Sequence, residues 1–359
     1  MISFSRVRTA SVAAVALIAV IASALVAGTA SAAKQATDPL IAQSKKEQGL
    51  VFYGNPPTAN FNALADKFKA AYPWITVTSY DLDDNTIFSK YASEAAQGVR
   101  TADILIASAP NLWVYASRKG YAMKTFTPVG IDKFPKFAKQ FKGIYIMSPD
   151  PTIIVYNKLL LKGKVPSGVG EIANDPQTYN KVTGYTVDNT FGYTGLYGYA
   201  QLKGWSNFQA IGKRLTPQTG VGGQLQLVAQ GGAVAAYLTS PTARFTLKSN
   251  AQYQQLLDWT YVNDGEALVP RGIAVTAKAQ SPASAKLFLN FVYSTAGQQA
   301  ICDAGFTAFR TGFTPAGCTN TLADVYAKVG AKNVYLPGFT QKFVNARPAF
   351  TKQWHGIFG

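Results

Sequence analysis

The chain has 359 residues, 48% of them apolar, and 34 basic against 18 acidic residues give a net charge of +16. That apolar content excludes global disorder, and the length suffices for two ordinary domains. One histidine, His355 near the C-terminus, argues against Ser-His-Asp chemistry, and the basic residues, never in a run longer than Lys45-Lys46, read as a generally basic surface with no nucleic-acid partner.

Arg6 and Arg8 precede an apolar run from about Ser11 to Gly28, followed by Ala30-Ser31-Ala32. This order of charged, apolar and small residues predicts a secretory signal peptide over 1–33, cleaved near Ala32, and a periplasmic or extracellular protein. A retained membrane anchor is the alternative; no later apolar run is long enough to span a bilayer. Removing both arginines and no acid leaves a mature charge two below +16, which favours anionic partners.

After a short helix over Ala36 to Gln48, Leu50–Tyr53 reads as a strand stopped by Gly54-Asn55-Pro56-Pro57. Phe61, Leu64, Ala65, Phe68 and Tyr72 then repeat at helical spacing up to Pro73. Ile75–Thr78 is a second strand, Ile87 to Gly98 a helix, Ala102–Ile106 a third strand, and a helix runs to Lys119. Such alternation predicts a parallel, doubly wound sheet. Ile144–Met147 and Thr152–Asn157 are strand-like, with Ser148-Pro149-Asp150-Pro151 as a turn between them. Further on, Lys181–Val187 is a strand, Phe191–Leu202 and Phe208–Leu215 are helices, and a helix-like run ends at Gly231-Gly232. Ala233–Leu238 then reads as a buried strand, Ala251–Asn263 as a tyrosine-rich helix and Ala267–Val275 as an extended segment. Pro282–Tyr293 and Ala296–Ala304 form an amphipathic helical pair, and the tail from Leu322 is helical with loops. Cys302 and Cys318, the only cysteines, read as one disulfide in an exported chain, worth on the order of 3 kcal/mol.

Catalytic and phosphate-cradling motifs are missing from the sequence, which argues against an enzyme and calls for no cofactor. The cluster Asp81, Asp83 and Asp84 lacks the alternation of a calcium loop and reads as a solvated loop. What remains is a set of loops directly after strands: Gly54-Asn55, Ser108-Ala109, Asn189-Thr190 and Thr239-Ser240. Three lead to helix N-termini, where free N–H groups favour an anion. In an open α/β sheet, ligands collect at the carboxyl ends of the strands.

Val51-Phe52-Tyr53-Gly54-Asn55, Thr101–Leu105, Ile153–Lys158, Leu225–Leu238 and Pro282–Ala300, in this order and spacing, resemble the periplasmic solute-binding proteins of ABC transporters. The group is type II, and the nearest branch is the ferric-iron-binding one. The resemblance implies two doubly wound α/β lobes joined by crossing hinge strands near Ile153–Asn157 and Val269–Ile273, closing on a solute by hinge motion. It places residues 34–152, with 271–310 returning, in the first lobe, and 153–270, with 311–359 returning, in the second. It also implies a monomer that delivers its ligand to a permease.

The iron branch's ligands are not matched. Pro241-Thr242 stand where its adjacent tyrosines would be, Pro56-Pro57 where a histidine often is, and Ser108-Ala109-Pro110 in place of an acidic ligand. A hard ferric ion needs anionic oxygen donors. Tyr53, Tyr193 and Tyr197 are substitutes in principle, which keeps an atypical metal binder as an alternative; a secreted hydrolase or wall-binding protein is another. The expected ligand is a small organic anion, a carboxylate or phosphonate, held by Tyr53, Asn55, Ser108, Ala109, Asn189, Thr190, Phe191, Thr239, Ser240 and a guanidinium of Arg244 or Arg271.

Overall fold

The computed structural model describes residues 39–359. The expected signal peptide, 1–33, lies outside the described residues. In chain order the first half runs α1 (Pro39–Ser44), β1 (Leu50–Gly54), α2 (Thr58–Ala71), β2 (Val77–Asp81), α3 (Asp84–Gln97), β3 (Ile104–Ala107), α4 (Pro110–Lys119), β4 (Lys139–Phe141), β5 (Ile144–Pro151) and β6 (Ile153–Asn157). Then come α5 (Val169–Asn174), β7 (Val182–Tyr185), α6 (Thr190–Lys203), α7 (Ser206–Ile211), β8 (Leu215–Gln218), α8 (Val221–Ala229), β9 (Ala235–Thr239), α9 (Ala243–Ser249) and α10 (Ala251–Leu256). The chain ends with β10 (Leu257–Tyr261), β11 (Glu266–Val275), α11 (Pro282–Val292), α12 (Thr295–Asp303), α13 (Leu322–Val329), β12 (Val334–Tyr335) and α14 (Gln341–Phe358).

Two sheets result. The first has the order β2-β1-β3-β11-β5-β4, with β12 added alongside β11; the second has the order β10-β6-β9-β7-β8. β1 lies parallel between β2 and β3, and β7 parallel between β8 and β9. Helices cover these parallel strands because both faces must be buried. On α2, the spaced residues Phe61, Leu64, Ala65 and Phe68 are all buried, and the Phe68 ring meets Phe288 and Phe291 of α11 at 5.0 and 5.7 Å.

The sheets are linked by two crossings. The chain leaves β5 at Pro151 and enters β6 at Ile153, and it returns between Tyr261 and Glu266. The crossings are tied to each other: Thr152 N–H donates to Ala267 O at 3.0 Å, and Thr152 Oγ1 donates to the buried Glu266 Oε1 at 2.8 Å. Val269–Ile273, expected to be a crossing, lies wholly in the first sheet, paired with β5 and β3. The larger apolar cluster also passes from the first sheet to Leu225 and Val228 of α8 and to Ala236 and Tyr261 on the second, while Phe343, Phe350 and Trp354 of α14 join the smaller cluster around β7 and α6.

Three local expectations are corrected. Ser148–Pro151 is not a turn but the end of β5, opposite Arg271, Pro270, Val269 and Leu268. β4 reaches only Ile144 and Tyr145, so the half of β5 with the prolines is an edge, where a missing N–H costs no ladder bond. Ala251–Asn263 is not one helix: α10 ends at Leu256, and Leu257–Tyr261 pairs antiparallel with β6, as its aromatic and β-branched side chains favour. Helix α7 stops at Ile211, and Leu215 opens β8, where Pro217 sits at a sheet edge. The pair Cys302–Cys318 is a disulfide, Cα atoms 6.0 Å apart, as expected.

Candidate ligand-binding cleft

A cavity of about 470 Å³ lies where the carboxyl ends of strands from the two sheets face each other. From the first sheet come Asn55 and Pro57 after β1, Asp81 to Asn85 at the end of β2, and Ser108 after β3. From the second come Tyr185 and Asp188 to Phe191 around the end of β7, Thr219 to Gly222 after β8, and Ser240 and Thr242 after β9; Arg271 rises from β11. The β9 loop begins from a strained residue: Leu238, a non-glycine, sits at φ 51° just before Thr239.

Of the expected site residues, the fold brings Asn55, Ser108, Asn189, Thr190, Phe191, Ser240 and Arg271 together around this cavity. Tyr53, Ala109, Thr239 and Arg244 do not line it. The Tyr53 hydroxyl donates to Glu94 Oε2 at 2.7 Å beneath the sheet edge, with its ring edge-on to Tyr80. Ala109 is the buried residue before α4, and Thr239 Oγ1 donates to Gln224 Oε1 at 2.7 Å inside the second lobe. Tyr193 and Tyr197, the substitute metal ligands, pack on Phe343 and Phe350 of α14 instead. Among the described residues no group of three or more histidine, cysteine or carboxylate side chains is placed to hold a metal ion.

Asp81 and Asp83 are exposed, as expected of a solvated loop, but Asp84 of the same cluster is buried. Asp81, Asp83, Asp84 and Asp188 all line the cavity. Asp83 caps α3, accepting from Asn85 N–H at 3.1 Å and Thr86 N–H at 3.0 Å, and the Thr86 side chain holds its carboxyl below the ordinary range. With that cap in place the next residue, Asp84, turns inward and is buried. Burial pushes Asp84 up to about 6, against the pull of Thr190 across the cleft and of Arg271. Desolvation also pushes Asp81 upward. Asp188 is held below its ordinary value: burial raises it, but Thr186, His355 and Arg347 together outweigh that.

Among the described residues Arg271 is the one arginine lining the cavity, and it is already ion-paired. Arg271 is 2% exposed; its Nε donates to Asp150 Oδ2 at 3.0 Å and its Nη1 to Asn55 Oδ1 at 2.7 Å. Asn55 accordingly presents its amide nitrogen away from the arginine, donating to Asp84 Oδ1 and to Ser108 Oγ. The guanidinium therefore sets the direction of Asn55, which holds Asp84. On the opposite wall the rings of Tyr185 and Phe191 stand 5.0 Å apart beside Val221. Gly220 precedes α8 without a side-chain cap, leaving the helix's first N–H groups at the cavity rim.

A polar cavity between two α/β lobes, floored by the strands that cross between them, defines a two-lobed solute-binding protein. The chain belongs to the bacterial extracellular solute-binding protein family, whose model matches residues 63–324. Among solved structures it is similar to the substrate binding protein of an ABC transporter from Agrobacterium tumefaciens, at 21% identity and a TM-score of 0.74 over 87% of this chain and 95% of that one. It is also similar to iron-bound HitA from Pseudomonas aeruginosa, at 17% identity and a TM-score of 0.65 over 85% and 99%. A periplasmic thiamin binding protein shares the fold at 19% identity and a TM-score of 0.66 over 87% and 97%. No curated protein matches the chain by sequence.

Proposed function

We propose that the protein is the exported binding component of an ABC importer and that its solute is a small organic cation, or a zwitterion bound chiefly through its cationic end. One observation carries the ligand class: among the described residues four aspartates line the cavity, and the only arginine lining it is already paired with Asp150. The expected organic anion relied on polar side chains, helix N-termini and a guanidinium from Arg271 or Arg244; the first is ion-paired with Asp150 and the second lies outside the cavity. An ammonium or ring cation beside Asp84 would supply the positive partner that this buried carboxyl lacks, with Tyr185 and Phe191 offering ring faces to it. Oxygen atoms on the ligand would meet the open N-terminus of α8 at Val221 and Gly222. Delivery to a permease is inferred from the ABC-transporter relative.

The test is a thermal-shift panel on the purified protein with organic cations (thiamin, choline, linear diamines) against carboxylates, phosphonates, sugar phosphates and ferric ion. A ligand that binds only the folded protein raises its melting temperature. The expected result is stabilisation by one or more cations. Stabilisation confined to the anions or to ferric ion overturns the ligand class.

A further inference from the structure

The loop after β9 feeds two cavities. Ser240 and Thr242 line the acidic one; Arg244, at the start of α9, lines a separate cavity of about 170 Å³ that shares none of its lining residues. One wall of this second cavity is Arg244 and Lys248 on α9 with Trp259 on β10, and the facing wall includes Asp303, Gly305 and Thr319 beside the disulfide. The two walls meet closely. Gly305 sits at φ +83°, and a Cβ there would lie 2.9 Å from the Cβ of Phe245.

Arg244 is 8% exposed, yet it forms no ion pair among the described residues. Its Nε donates to Pro241 O at 3.2 Å and its Nη2 to Gly305 O at 3.3 Å, its guanidinium carbon lies 5.0 Å from the Trp259 ring centre, and its Nη1 has no hydrogen-bond partner. The carboxylates around it are occupied or neutral. Asp150 serves Arg271, and burial pushes Glu266 up to about 8, so that it is largely protonated at neutral pH. A buried, uncompensated charge costs several kcal/mol, a cost that a counterion in an adjoining cavity offsets. Lys248, exposed and one turn further along α9, adds a second positive group at the opening, so two cationic groups stand against one lining carboxylate, Asp303, which accepts from Gln299 Nε2 at 2.9 Å.

We propose that this cavity is a second ligand site, which takes a small oxoanion, a carboxylate or a phosphate, as the countercharge to Arg244 with Lys248 at its mouth. Guanidinium and ammonium groups together beside one ring face suit such an anion, and the cavity is too small for a large organic solute.

The experiment is thermal unfolding of the purified protein in sodium phosphate or sodium acetate at constant ionic strength, with sodium chloride as the reference. The expected result is a saturable rise, about 2 °C at tenfold excess over Kd, from at least one of the two anions; which one saturates at the lower concentration tells phosphate from carboxylate. Lys248→Met, an exposed substitution, weakens the apparent Kd at least threefold, and Arg244→Met abolishes the rise. No saturable rise over chloride with either anion overturns the site. So does a Lys248→Met protein that responds to the anion as the parent does, a result that stands even if Arg244→Met fails to fold.

Discussion

The molecule buries two arginines near the junction of its sheets, and they solve the same problem differently. Arg271, at the cavity floor, is matched by Asp150 at 3.0 Å and by the Asn55 carbonyl, so its charge has an ionic partner inside the protein. Among the described residues Arg244 has carbonyl oxygens, a ring face, the nearby Tyr261 hydroxyl and an idle Nη1, but no carboxylate in an ion pair. Charge at a cleft is therefore not the same as charge offered to a ligand. What decides is whether the protein has already supplied the partner. By that criterion the first cavity offers unpaired carboxylate, and the second offers unpaired guanidinium.

The contrast predicts stability effects of different size, the largest first. Arg271→Met strands Asp150 in a fully buried position and should cost about 3–5 kcal/mol, the range for breaking a buried pair from one side. The double variant Asp150→Asn with Arg271→Met should recover most of that, because neither charge is then left alone. Arg244→Met removes a charge with no ionic partner but also two hydrogen bonds and the contact with Trp259, and these opposing effects should leave stability in chloride changed by about 1 kcal/mol or less. Denaturant unfolding measures all three. Equal losses from Arg271→Met and Arg244→Met would end the distinction.

Binding should separate along the same line. Asp84→Asn keeps the shape and the hydrogen bond with Asn55 within reach, but removes the charge, so affinity for a cationic solute should fall about tenfold or more, as calorimetry would read. Unchanged affinity would remove Asp84 from the site.

Much of the fold was legible because it rests on repeating patterns. The alternation from Leu50 to Lys119 matches β1 to α4, and the rule that loops after strands gather ligands led to Asn55, Ser108, Asn189, Thr190 and Ser240. Periodicity could not separate the carboxyl half of Ala251–Asn263 from a helix, because Leu257–Tyr261 becomes a strand only through pairing with β6. It could not show that Pro149 and Pro151 sit on a strand edge, since that depends on where β4 ends.

The most instructive miss is the acidic loop. Asp81 to Asp84 follows a strand as the chosen loops do, but a cluster of carboxylates on its own reads as a solvated turn. Only the cap formed by Asp83 sends Asp84 inward. Likewise Arg244 and Arg271 are equivalent in sequence, and the partner that separates them, Asp150, lies 121 positions from Arg271.

If ionised Asp84 receives a cationic solute, affinity must depend on pH through this carboxyl. Burial raises this carboxyl from 3.8 to about 6 in the ligand-free protein. Its contribution to stability is therefore greatest below pH 3.8 and is lost as pH rises through about 6, whereas its attraction for a cation grows over that same window. Calorimetric titration of the most stabilising organic cation should give a Kd about tenfold lower at pH 7 than at pH 5, and Asp84→Asn should flatten the profile. A parent protein whose affinity is the same at both pH values, or an Asp84→Asn profile that keeps the slope, would contradict it.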